Sequence, residues 1–219
     1  FSSARTYHRM ACNVEDAGFE IRDQIMWVYG SGFPKGKTQL KPSHEPIVMA
    51  RKGGKKQELR IDDCRVGNEK IENGRFNRKE SDPKKIKFVD KPTEKKIVQG
   101  RWPANLIHDG TKDVLDLFPV DDLYGSVARL FYCAKASNSD RGKGNNHPTV
   151  KPIDLMRYLI RLVCPVGSVV LDPFMGSGTT GKAALEEGME FIGIEQSAEY
   201  MDISKKRLTN VAYQAGLFT

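Results

Sequence analysis

A chain of 219 residues holds one domain of ordinary size, with room for a small appendage, and folds without disulfide or metal staples. Hydrophobic residues at 39% and charged residues at 29% exclude a collagen, a disordered tail and a membrane bundle. The net charge is +7, yet residues 35–101 hold 20 Lys and Arg against 10 Asp and Glu, more than the whole excess.

Taken in order, Arg5 to Ala17 predicts a helix, because Tyr7, Met10, Ala11 and Val14 recur at helical spacing and Gly18 suits its end. Phe19, Ile21, Ile25, Trp27 and Tyr29 fall on alternate positions, the period of a strand. A loop, Gly30 to Gly36, follows, and Ile47 to Ala50 predicts a short strand. From Arg51 to Gly100 the periodicity is weak and predicts short strands and loops. Leu106–His108, a helix from Lys112 to Phe118 and a strand at Leu130–Cys133 come next.

The last third is clearer. After Pro152, Met156, Leu159, Ile160 and Val163 predict one apolar helix face, and its Asp154, Arg157 and Arg161 rule out a membrane span. Ser168–Leu171 reads as a buried strand, Thr179–Glu187 as a helix closed by Gly188, and Glu190–Glu195 as the next strand. Ser197 can cap a last helix to about Leu208. Strand, glycine turn, helix and a strand ending in an acid make a βαβ nucleotide-binding unit.

The basic stretch, with Lys52, Lys55, Lys56, Lys84, Lys85 and Lys87, reads either as a solvated insertion or as a surface for a polyanion. Charge alone does not choose. The cysteines, Cys12, Cys64, Cys133 and Cys164, have neither zinc spacing nor the density of a disulfide framework, which suits a reducing cytosol. No metal site is expected among them or the four histidines.

The turn Asp172-Pro173-Phe174-Met175-Gly176-Ser177-Gly178-Thr179-Thr180-Gly181-Lys182-Ala183 fits several templates. Gly176, Gly178 and Gly181 satisfy the dinucleotide G-x-G-x-x-G, and Glu195 lies where a ribose acid belongs. A phosphate-binding loop is disfavoured because Ala183 stands where Mg²⁺ needs a hydroxyl. A structural glycine turn without a ligand is the bland alternative. Asp172-Pro173 favours a third option, a cationic amino-acid-like nucleoside: S-adenosylmethionine.

Asp172 to Thr180 resembles motif I of the DNA amino-methyltransferases, which act on adenine N6 or cytosine N4. Asn146-His147-Pro148-Thr149-Val150-Lys151-Pro152 resembles the family's motif X. Their order is that of the permuted, β-type branch, and Arg101–Asn105 and Phe131–Ala136 resemble its phage-type members. Trp27 to Lys35 is similar to the neighbourhood of motif VIII. The resemblance implies a Rossmann-like α/β methyltransferase sheet, incomplete in this chain, with an inserted target-recognition region. It divides the chain into the end of a catalytic half (1–35), a basic recognition region (36–130) and a cofactor half (131–219).

The resemblance implies S-adenosylmethionine as cofactor and double-stranded DNA as partner. Asp172, Phe174, Gly176, Ser177, Gly178, Thr179 and Thr180 would surround the methionine end, with Lys151 and Pro152 beside them. Glu195 would take the ribose, and Gln196 would lie near the adenine. In that context the six lysines become candidate DNA contacts. Tyr29 and Phe33 are candidates to touch a flipped base, with core packing the stronger expectation, and His147 is expected to be structural.

The family's catalytic loop, (D/N/S)-P-P-(Y/F), occurs nowhere between Phe1 and Thr219. The chain, which opens on Phe1, is therefore expected to be a truncated piece and inactive alone. The Ser168 to Glu195 strands and the Phe19 to Tyr29 strand should flank two missing strands and be left with exposed edges and apolar faces. A bacterial cytoplasm or a phage-infected cell is the expected compartment, and the oligomeric state stays open, a homodimer included. A nicotinamide-dependent oxidoreductase and a non-catalytic DNA-binding remnant are the competing readings.

Overall fold

The structure, a computed structural model, describes residues 1–34, 36–54, 57–118 (without 74–95), 120–121, 125–126 and 131–214. Helix α1 (Tyr7–Asp16) leads into β1 (Phe19–Val28), which turns back as β2 (His44–Lys52). A hairpin follows, β3 (Val66–Asn73) with β4 (Lys96–Arg101), then β5 (Leu106–His108) and α2 (Lys112–Leu115). The short strands β6 (Val120–Asp121), β7 (Gly125–Ser126) and β8 (Phe131–Tyr132) precede α3 (Asn138–Arg141) and α4 (Ile153–Val163). The chain then runs through β9 (Val169–Asp172), α5 (Thr179–Glu186), β10 (Glu190–Gly193) and α6 (Ala198–Gln214).

Four strands form one sheet in the order β2-β1-β5-β8. β1 pairs antiparallel with β2 from Phe19–Lys52 to Val28–His44, and parallel with β5 over Met26–Val28. The alternation expected from Phe19 to Tyr29 holds in its second half: Ile25, Trp27 and Tyr29 point into the core, whereas Phe19 is exposed and the register shifts after Ile21. Ile107 of β5 is fully buried beside them, and the Trp27 indole donates to the Cys133 carbonyl at 3.0 Å. The expectation that the Phe19–Tyr29 strand borders missing strands and shows an open edge is corrected at one end. β5 returns to its second edge over Met26–Val28, where Met26 N also donates to the Asn105 carbonyl, while Phe19 to Ile25 pair with β2 alone among the described strands.

Helix α4 joins this sheet to the second one. Leu155, Tyr158 and Leu162 pack against β1, β2 and β5, while Ile160 with Met156 meets Ala183, Ala184 and Met189. The single apolar face expected through Val163 is thus corrected: Val163 is exposed, and the buried positions spread over two faces because α4 has a neighbour on each. Glu187 fastens α4 to α5 by accepting from Arg157 at 2.8 Å and Arg161 at 2.6 Å. These guanidiniums hold its carboxyl below the usual carboxylate range.

β9 and β10 form a separate parallel pair, registered from Val169–Glu190 to Asp172–Gly193. Val170 and Phe191 face the α4–α5 cluster. On the opposite face Val169, Leu171, Ile192 and Ile194 are each more than half exposed, a bare apolar sheet face of the kind expected here. Other boundaries differ modestly. β2 is longer than Ile47–Ala50 because it has β1 as partner, α6 extends six residues past Leu208, and the helix begun at Lys112 stops at Leu115 and continues as turns.

Candidate functional site

The candidate site lies at the carboxyl ends of β9 and β10, where open parallel sheets place their ligands. Pairing runs slightly past the strands, with Ile194 N donating to the Asp172 carbonyl and Met175 N to the Ile194 carbonyl. This sets two carboxylates side by side. Asp172 Oδ1 accepts from Phe174 N at 3.0 Å, and its Oδ2 accepts from the Thr180 hydroxyl at 2.6 Å. Glu195 Oε2 accepts from Gly176 N at 2.9 Å, and Oε1 from Ser197 N at 2.9 Å. Each acid therefore ties one side of the glycine turn to a strand end.

The glycines have individual reasons. Gly176 and Gly178 sit at φ 53° and 79°, where a side chain strains the backbone. A Cβ on Gly181 would meet the Phe191 ring at 2.5 Å, so this glycine lets α5 lie close on β10. A Cβ on Gly176 would lie 2.7 Å from His147 Nε2. His147 is thus structural as expected, but as a wall of the turn: its ring packs edge-on against Tyr200 at 4.5 Å, and Nδ1 accepts from Thr149 N at 3.3 Å.

Burial, opposed in part by the Glu195 charge and aided by Arg141, Arg207 and Lys151, holds the His147 ring below its ordinary value of 6.5. The folded form therefore favours the neutral ring. That contribution to stability is complete above the unfolded value near 6.5 and is lost as pH falls through the depressed folded value. The melting temperature should fall between pH 6.5 and 5 more steeply in the unchanged protein than in His147→Gln, as calorimetric scans at several pH values would read. Equal slopes would remove His147 from the acid response.

Sequence reasoning missed Arg207. From α6 its Nη1 donates to the Ser177 carbonyl, to the Ser177 hydroxyl at 2.9 Å and to the Thr179 hydroxyl at 3.3 Å. Its Nη2 donates to the Asp140 carbonyl at 2.6 Å. Ser177 and Thr179, both buried, thus have their hydroxyls turned to this guanidinium. No local pattern marks it, because its partners are 28, 30 and 67 residues away.

Of the other expected site residues, Phe174 is 88% exposed and Gln196 is exposed, both flanking the turn. Pro152 is buried at the start of α4. Lys151 gives its ammonium to Glu45 at 2.7 Å and lies 5.1 Å from the Phe1 ring centre. Tyr29 is in the core, with the Lys135 ammonium 3.7 Å from its ring centre, whereas Phe33 is 85% exposed and packs in no core. Lys52 ends β2 with its ammonium 5.3 Å from the Phe19 ring. Lys55, Lys56, Lys84, Lys85 and Lys87 lie outside the described residues. Among the described residues no cluster of His, Cys, Asp or Glu could hold a metal ion, and no helix is long and apolar enough to cross a membrane.

The fold and site define a class. The PvuII cytosine-N4-specific DNA methyltransferase superposes with a TM-score of 0.56 at 17% identity, covering 97% of this chain and 63% of that one. The M1.HpyAVI–SAM complex superposes at 0.50 with 26% identity, covering 94% and 70%. The architecture is that of the Rossmann-like methyltransferases, with a partial sheet. The DNA methylase family model for N6 and N4 enzymes matches residues 2–206, and the chain belongs to that family. Among relatives, the DNA adenine methyltransferase YhdJ of Escherichia coli is 48% identical over 63 residues, 29% of this chain and 21% of that protein. Type II methyltransferase M2.DpnII of Streptococcus pneumoniae is 48% identical over 62 residues, 28% and 23%. The aligned stretch thus spans under a quarter of either relative. Family membership also decides against the nicotinamide oxidoreductase, whose glycine pattern the turn shares.

Proposed function

We propose that the protein is part of an S-adenosylmethionine-dependent DNA methyltransferase of the permuted, phage-like branch, acting on adenine N6 or cytosine N4 in a modification system. The observation that carries this is the pair of strand-end carboxylates, Asp172 and Glu195, around the glycine turn of a chain matched by the DNA methylase family over residues 2–206. An ionised carboxylate has about four acceptor positions. Glu195 uses one on each oxygen for the turn and keeps others for the two hydroxyls of a ribose. Asp172, Phe174, Gly176 to Thr180, Lys151, Pro152 and Gln196 complete the proposed cofactor set. A M1.HpyAVI–SAM complex among the structural neighbours supports the same cofactor.

When bound, the cofactor would supply an electrophilic sulfonium methyl group to the exocyclic amine of an extruded base in line, with the thioether as the leaving group. The residues here bind and orient it. The loop that would hold the amine is absent from residues 1–219, which are proposed to be inactive without it. The ranges 1–35, 36–130 and 131–219 are proposed as catalytic-half end, recognition region and cofactor half. β2 and β5, from the middle range, pair directly with β1, so that region returns to the sheet at both ends.

The DNA half of this reading is tested by salt. Affinity for duplex DNA should fall steeply with ionic strength. Charge reversal at Lys84, Lys85 and Lys87 should flatten the slope of log affinity against log salt by about 0.9 for each phosphate that is no longer neutralised. A slope near zero in the unchanged protein would overturn it.

A further inference from the structure

Beside the cofactor turn lies a concave surface of about 600 Å³, lined by Asn138 and residues 141–146. Its wall is a built loop. The Asn145 amide donates to the Arg141 carbonyl at 2.8 Å, while its oxygen accepts from His147 N at 3.0 Å. Arg141 Nη1 donates to the His147 carbonyl at 3.1 Å, which fixes the guanidinium and leaves its other donors for a ligand. The Asn146 amide donates to Glu199 at 2.6 Å. The acid of the segment, Asp140, turns inward and accepts from Ser137 N, the Ser137 hydroxyl and Ile153 N.

Two cations therefore face the concavity, Arg141 and Lys143, and neither has an ion pair among the described residues. Gly142 and Gly144 turn the backbone at φ 77° and 76°, and a Cβ on either would meet nothing within 4 Å. The space is open and positive. It is joined to the cofactor turn twice, by the His147 ring against Gly176 and by Arg207, which spans from Ser177 to the Asp140 carbonyl.

We propose that this loop is a second DNA contact, taking a backbone phosphate of the strand that passes the cofactor turn, independently of the basic segment at residues 35–101. The inference rests on the methyltransferase reading. A guanidinium fixed at one edge and an ammonium at the other suit a phosphodiester, whose anionic oxygens diverge from one phosphorus. Such a contact positions the strand and reads no sequence.

The test is fluorescence anisotropy of a labelled duplex across a salt titration, with calorimetry of S-adenosylmethionine on the same proteins. Lys143→Gln and the Arg141→Gln/Lys143→Gln pair should weaken DNA binding, the pair at least fivefold, and lower the salt slope by about 0.9, the value of a single phosphate. The weakening should be equal for unrelated duplex sequences, and Arg141→Lys should keep most of the slope. Wild-type slope and affinity in the double variant overturn the inference while leaving the function intact. Weaker cofactor binding with unchanged DNA binding also overturns it, because the concavity would then serve the cofactor. Absence of salt-dependent binding by the unchanged protein overturns both.

Discussion

Replacing Glu195 by alanine is expected to weaken S-adenosylmethionine binding at least tenfold, about 1.4 kcal/mol, and Asp172→Ala to do the same. Glu195 fastens Gly176 and Ser197 through separate oxygens, and Asp172 fastens Phe174 and Thr180 likewise. Alanine thus removes both the proposed ligand contact and the tie that shapes the turn. Glu195→Gln separates the two, because the amide retains an acceptor but loses the charge and one oxygen. Its affinity should fall between wild type and alanine, with a melting temperature nearer wild type. Calorimetric titration reads this directly. Unchanged affinity in both alanine variants would remove the cofactor assignment.

Residues 1–219 are expected to transfer no detectable methyl group to DNA, even saturated with cofactor. A purified chain, labelled S-adenosylmethionine and duplex DNA make the assay. The reason is compositional: the eleven prolines include no adjacent pair, so no (D/N/S)-P-P-(Y/F) loop exists to hold the target amine. The same chain should be prone to association, because Val169, Leu171, Ile192 and Ile194 bare one face of the β9–β10 pair. Joining it to a segment that carries the loop should restore turnover and solubility together. Turnover by the 219 residues alone would mean the catalytic loop has been misplaced. Solubility restored without turnover would favour the non-catalytic DNA-binding remnant.

Much of the β9–α5–β10 unit is legible in the sequence because its signals are local. A β-strand ending in Asp172, glycines two and five residues apart, and a second strand ending before Glu195 follow from backbone sterics and hydrogen bonding within 25 residues. The α4 helix is legible as amphipathic, but not as two-faced, since a residue pattern records burial and not which neighbour provides it. Phe33 illustrates the converse: an aromatic side chain next to a strand end looks fit for the core and lies in solvent. The roles of the lysines between residues 55 and 87 are read from charge, and they lie outside the described residues.

The composition class, the βαβ unit with its strand-end acids and the family resemblance all rest on residues near one another along the chain, which is why they can be read from it. The packed fold adds that β5 borders the last three residues of β1 on its second edge, that His147 walls the glycine turn, and that Arg207 binds Ser177 to Asp140. Each of these joins segments 29 to 80 residues apart. Such contacts depend on which elements pack together, a property of the whole fold that no window of the chain contains.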